Sequence, residues 1–190
     1  VHTQLLAGKA WWLTKGMFAA RMVIYFALWI GLTTMIVKVS RKQDEDGCIS
    51  HTYKARTWSA IFCIVFGLTL TASSVDYLMS IETTWFSTMF GVYLFAGSML
   101  SFFALMSSVI YMLQKRGVLV DEVNKEHFHD LGKFTFGFIV FWAYIAFSQY
   151  MLIWYGNIPE ETAWYALRLD HGWQWMGIAV LFGHFLVPFW

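Results

Sequence analysis

The sequence predicts an all-α, polytopic integral membrane protein, a helical bundle of about five transmembrane helices with no soluble domain. Three observations carry that prediction. First, the 22 residues from Phe134 to Tyr155 contain no charged side chain, and about 20 apolar residues at ~1.5 Å rise cross a ~30 Å hydrocarbon core. Second, the 190 residues are 58% hydrophobic and 20% aromatic but only 13% charged, against roughly 25% charged in soluble domains. Third, apolar runs alternate with short polar loops, two of which hold nine of the 13 Lys and Arg residues.

Taken in order, residues 1–16 place Trp11 and Trp12 beside Lys9 and Lys15, an interfacial pattern. The expected spans are about 17–37, 58–78, 88–113, 134–155 and 173–190. The first is interrupted only by Arg21, and the second carries Asp76 close to its end. The third has Gly97 and Ser101 at a small-xxx-small spacing that permits close helix contact. The fourth holds Ser148, Gln149 and Tyr150 and ends in Trp154-Tyr155, an aromatic pair suited to a lipid–water boundary. Pro159, Glu160 and Glu161 then read as the first turn of a further helix, with acids at its positive dipole end. That helix, to about Leu169, mixes Trp164, Tyr165 and Leu167 with charges and is expected to lie flat in the interface. Val1 is not an initiator Met and Trp190 falls in mid-helix, so a fragment of a longer protein is expected.

Lys and Arg in the loops set the expected orientation. The 38–57 loop has Lys38, Arg41, Lys42, Lys54 and Arg56, and the 114–133 loop has Lys115, Arg116, Lys125 and Lys133. The 79–87 loop has none and 156–172 has only Arg168. Both basic loops are therefore expected on the cytoplasmic side. The net charge of +1 offers no nucleic-acid surface. Cys48 in a loop and Cys63 inside a span are badly placed for a disulfide or a metal site.

Counting rise then places the polar residues by depth. Asp76 lies about 27 Å from Trp58, near the outer face, and Gln149 lies about 22 Å from Phe134. Arg21 and Glu82 fall on the same side, so Arg21, Asp76, Glu82, Ser148, Gln149 and Tyr150 are expected to converge on one leaflet. Ionisable groups inside spans are costly and tend to face protein or water, which makes that set a candidate site. The plainer reading is that Arg21 and Asp76 pair or snorkel near the headgroups. Thr69, Ser73 and Asp76 share one helical face; the hydroxyls either relay protons through trapped water or bond back to their own helix. His184 is expected near mid-membrane, as a packing histidine or a proton carrier. Haem ligation would need a second intramembrane His, and His2, His51, His127, His129 and His171 lie in loops or at edges. His129, Asp130 and Lys133, at the mouth of the fourth span, suit a proton relay or simple capping and snorkelling.

Several strings carry a resemblance. HDLGKFTFGF (residues 129–138) and FWAYIAFSQYMLIWYGNIPEET (141–162) resemble the bacterial quinol:cytochrome c oxidoreductase known as alternative complex III. AGKAWWL (7–13), DYLMSIETTWFSTMFGVYLFAG (76–97) and HFLVPF (184–189) extend the likeness over essentially the whole chain. The similarity is to its polysulfide-reductase-like, NrfD-type membrane subunits, and specifically to the second of the two. Those subunits have about ten spans in two bundles, which would make this chain part of one. The resemblance implies a multi-pass protein of the bacterial inner (cytoplasmic) membrane, within a complex that oxidises quinol near the outer leaflet. Electrons would pass to iron–sulfur clusters and c-type haems in partner subunits, beside a sibling membrane subunit. This chain has no CxxCH or Cys cluster for such centres, so no directly bound cofactor is expected, and quinone or quinol is the expected ligand. Asp76, Glu82 and His184 are the candidate proton- or quinol-handling residues. Arg21, Gln149 and Tyr150 are the candidate quinone pocket, and no metal ligands are assigned. The competing readings are a non-catalytic scaffold or proton-conducting subunit of the same complex, and an independent transporter. The transporter is weaker because the only proline within a span is Pro188.

Overall fold

The computed structural model describes residues 8, 10–82, 85–170 and 172–189. Its elements are helical throughout those residues: α1 (Lys15–Asp46), α2 (Ser50–Tyr77), a 3₁₀ turn (Met79–Ile81), α3 (Phe90–Lys115), α4 (Lys125–Gly156) and α5 (Pro159–Leu169). A last helix follows as α6 (Gln174–Val180), a π-helical segment (Leu181–Leu186) and α7 (Val187–Phe189). The chain divides into two compact units, Val1–Thr84 and Trp85–Trp190. In the first, α1 packs along α2; in the second, α3 packs along α4, with α5 and the last helix against α4. His2, Lys9, His171 and Trp190, on which some of the sequence expectations fell, lie outside the described residues.

Four helices, α1 to α4, are long and apolar enough to cross a membrane. The fifth expected span, 173–190, does not reach that length among the described residues. Its apolar stretch Gln174–Leu186 falls in a shorter class. The helix count therefore differs from the expected five.

The helices also overrun the spans assigned to them. α1 continues nine residues past Val37 to Asp46, so the expected 38–57 loop shrinks to a turn at Gly47–Ile49 flanked by helix. Lys, Arg, Gln and Glu are good helix formers and need no apolar partner to continue a helix already nucleated. Gly47 stops it: at φ +65° its N–H donates to the Gln43 carbonyl oxygen at 2.8 Å, the left-handed C-terminal turn that glycine adopts without steric cost. α4 likewise begins at Lys125, nine residues before Phe134, under a reciprocal cap. Asn124 Oδ1 accepts from the Glu126 and His127 N–H groups, and the Asn124 N–H donates to His127 Nδ1.

The expected start of α5 is present, with Pro159 in its first turn, Glu160 and Glu161 beside it and Arg168 in its last. The distribution matches the helix dipole at both ends. The interiors are thin. Ala96, Leu100, Ile139 and Ile145 are buried between α3 and α4, while Val23, Ile64, Leu105 and Phe147 on the four long helices are 63–68% exposed. In water such faces would drive aggregation; against hydrocarbon they are the solvent-matched surface.

Candidate functional site

Among the described residues, the first unit holds one buried polar cluster, built where α1 begins and α2 ends. Arg21 sits six residues into α1, and Asp76 is the penultimate residue of α2. An antiparallel hairpin closed at Gly47–Ile49 brings those positions to the same end. Arg21 Nε donates to Asp76 Oδ2 at 2.8 Å, and the Tyr25 hydroxyl donates to the same oxygen at 2.8 Å. Arg21 and Tyr25 are four residues apart, so one face of α1 delivers both donors. Asp76 is 3% exposed and Arg21 8%, a degree of burial charged residues show almost only when paired.

Arg21 has further partners. A terminal guanidinium nitrogen donates to the Trp12 carbonyl oxygen at 3.0 Å, and its Cζ lies 4.1 Å from the centroid of the Trp12 ring. A planar cation fits such a face, which draws the segment before α1 over the ion pair. Beyond the carboxylate, Ser80 Oγ donates to the Asp76 carbonyl oxygen at 2.6 Å, tying the 3₁₀ turn to the end of α2. Tyr25 stacks on Trp29, with centroids 6.4 Å apart. Trp29 Nε1 in turn donates to Thr69 Oγ1 at 2.8 Å.

The hydroxyl stripe leading to Asp76 is committed locally. Thr69 Oγ1 donates to the Val65 carbonyl oxygen at 2.7 Å, and Ser73 Oγ to that of Leu70 at 2.9 Å. Back-bonding to the preceding turn recurs at Ser98, Ser101, Ser107 and Thr135 in the other long helices. It satisfies a hydroxyl that lipid cannot. Of the two readings of Thr69 and Ser73, the geometry is that of back-bonded hydroxyls.

The second unit holds the other candidates. Gln149 is buried near the C-terminal end of α4. Tyr150 is exposed and meets the Tyr165 ring edge-on at 5.2 Å. Tyr165 lies beside Trp164, which stacks on Trp85 at 4.6 Å and lies under the Arg168 guanidinium at 3.3 Å. Burial pushes the Tyr165 hydroxyl up to about 12, which keeps it a neutral donor at ordinary pH. His184 packs edge-on against Trp142 at 4.3 Å, with Nε2 buried and unpartnered among the described residues. At Gly97, where close helix contact was expected, a Cβ would stand 3.6 Å from the Trp142 ring, an ordinary van der Waals distance.

The hairpin thus joins Arg21 and Asp76, whereas Gln149, Tyr150 and His184 belong to the other unit. Glu82 follows the 3₁₀ turn and its N–H donates to the Met79 carbonyl oxygen at 3.2 Å. Tyr25 and Trp12 are site residues that depth-counting did not select; the spacing of Tyr25 from Arg21 was the available signal. Near the start of α4, Lys133 and Asp130 form an exposed pair at 3.2 Å, three residues apart on the same helix. Among the described residues no group of three or more His, Cys, Asp or Glu could hold a metal ion. Compared with known proteins, the sequence matches no family model and no curated relative.

Proposed function

We propose that this chain is an integral membrane subunit of a bacterial respiratory quinol:acceptor oxidoreductase, contributing a proton- or quinol-handling carboxylate to the membrane. The observation that carries the reading is the buried Arg21–Asp76–Tyr25 cluster at one end of two long apolar helices. Isolated spans rarely tolerate an aspartate there unless it is paired or used. Among the described residues both donors converge on Asp76 Oδ2. Its second oxygen is the atom that would take a proton from a quinol hydroxyl or from a water leading to one. The Tyr25 hydroxyl and the Arg21 guanidinium, both donating to the other oxygen, hold the carboxylate in place for that transfer. The likeness of the DYLMS and SQYMLIWYGNIPEET strings to alternative complex III subunits supports the same assignment. It would place iron–sulfur and c-type haem centres in partner subunits of the inner membrane.

The test is quinol:cytochrome c turnover of the purified complex carrying Asp76→Asn, once this subunit is shown to remain assembled. The expected result is a loss of about 10²-fold or more, in the range general acid–base groups contribute. Unchanged turnover would remove Asp76 from the proton route. A second reading, a structural subunit without chemistry, is favoured by one observation: the ion pair joins α1 to α2 and is sealed by Trp12. Under that reading Asp76→Asn lowers thermal stability and leaves turnover intact.

A further inference from the structure

α1 also carries an open groove of about 540 Å³ that is lined by neither member of the ion pair, with Trp29, the ring stacked on Tyr25, at its border. Its floor runs from Phe26 and Ile30 past Thr33 and Thr34 to Lys38 and Arg41. The repeating three- and four-residue spacing keeps these positions on one side of the helix. The two short threonines form the waist. Thr34 Oγ1 donates to the Ile30 carbonyl oxygen, so its hydroxyl is already engaged with its own helix. From Phe26 to Lys38 the helix rises about 18 Å, close to the ~15 Å depth of one leaflet.

Lys38 and Arg41 close the groove at its polar end. Both are exposed, and neither forms an ion pair among the described residues. Asp44 and Glu45 stand three and four residues after Arg41 without forming an ion pair with it, and Asp46 is bonded to His51. An apolar groove about one leaflet long, ending in two exposed cations that form no ion pair among the described residues, has the charge and length of a lipid with an anionic headgroup. A neighbouring apolar helix would match the floor but leave the two cations without an anion.

We propose that this groove holds an anionic phospholipid, with an acyl chain along the Phe26–Val37 face and the headgroup phosphate between Lys38 and Arg41. The leaflet is the cytoplasmic one if the basic loops lie inside, and the inference does not depend on the quinol reading. To test it, the protein in its membrane assembly is solubilised in mild detergent and exchanged with equal amounts of phosphatidylglycerol and phosphatidylcholine. Lipid retained after washing is then quantified by mass spectrometry. Phosphatidylglycerol should exceed phosphatidylcholine by about fivefold or more, and Lys38→Gln with Arg41→Gln should remove that preference. Thr34→Phe, which fills the waist and leaves both cations, should lower phosphatidylglycerol retention as well. Equal retention of the two lipids, or a double variant that keeps its preference, overturns the proposal. So does a photo-crosslinker at Thr33 that captures a polypeptide in place of lipid, an outcome readable even if a variant fails to assemble.

Discussion

At the residue scale, the Asp76 carboxylate matters because its donors are unequal. Removing it leaves the Arg21 guanidinium buried with only the Trp12 carbonyl and ring for company. Breaking a buried pair from one side costs about 3–5 kcal/mol, so Asp76→Ala should lower the thermal midpoint well below that of wild type. Tyr25→Phe removes one hydrogen bond to a charged acceptor and should cost less, about 1.5–3 kcal/mol, measured by the same unfolding assay. Should Tyr25→Phe prove the more damaging of the two, the hydroxyl and not the ion pair organises the cluster. Depth-counting found Arg21 and Asp76 because charge inside an apolar run stands out. It passed over Tyr25 because an aromatic near a span end is ordinary membrane composition. Only the i, i+4 relation to Arg21 marks it, and that relation acquires meaning once the partner helix is known to bring Asp76 to that face.

At the scale of elements, the apolar windows located α1 to α4 correctly but not their ends. Hydropathy reads the hydrocarbon-facing part of a helix, while the backbone continues until something stops it, such as Gly47 at φ +65° after α1 and Asn157 at φ +47° after α4. The start of α5 was legible because proline and first-turn acids are local signals that do not depend on depth. Helix contact at Gly97 was legible too, although what meets it is the Trp142 ring and not a second small residue. That distinction makes a prediction. A Cβ 3.6 Å from Trp142 is ordinary contact, and alanine favours a helix over glycine by about 1 kcal/mol, so Gly97→Ala should be neutral or mildly stabilising. Gly97→Leu must displace the indole and should cost about 1–3 kcal/mol. Thermal unfolding of the two variants side by side checks the sign of each.

At the scale of the whole molecule, the charge asymmetry between loops is the one feature that orients the chain, and its two cysteines are placed to test it. Cys48 sits exposed in the turn between α1 and α2, and hydrogen bonds from Ser50 hold its thiol below the usual cysteine range. A lowered thiol pKa raises the thiolate fraction at neutral pH, and the thiolate is the species that a maleimide captures. Cys63 is also exposed on the helix surface, but it lies within the apolar part of α2, about 20 Å of rise from Ser50. Hydrocarbon excludes water and a charged reagent there. A membrane-impermeant maleimide should therefore label Cys48 in inside-out vesicles, spare it in right-side-out vesicles and leave Cys63 unlabelled in both. Labelling of Cys48 from the outer side would invert the orientation, moving the Arg21–Asp76 cluster to the cytoplasmic leaflet and the Lys38–Arg41 groove to the opposite one. Labelling of Cys63 in intact vesicles would mean that α2 lines water instead of lipid. The surface of the hairpin would then have to be read as a pathway and not as a lipid-facing wall.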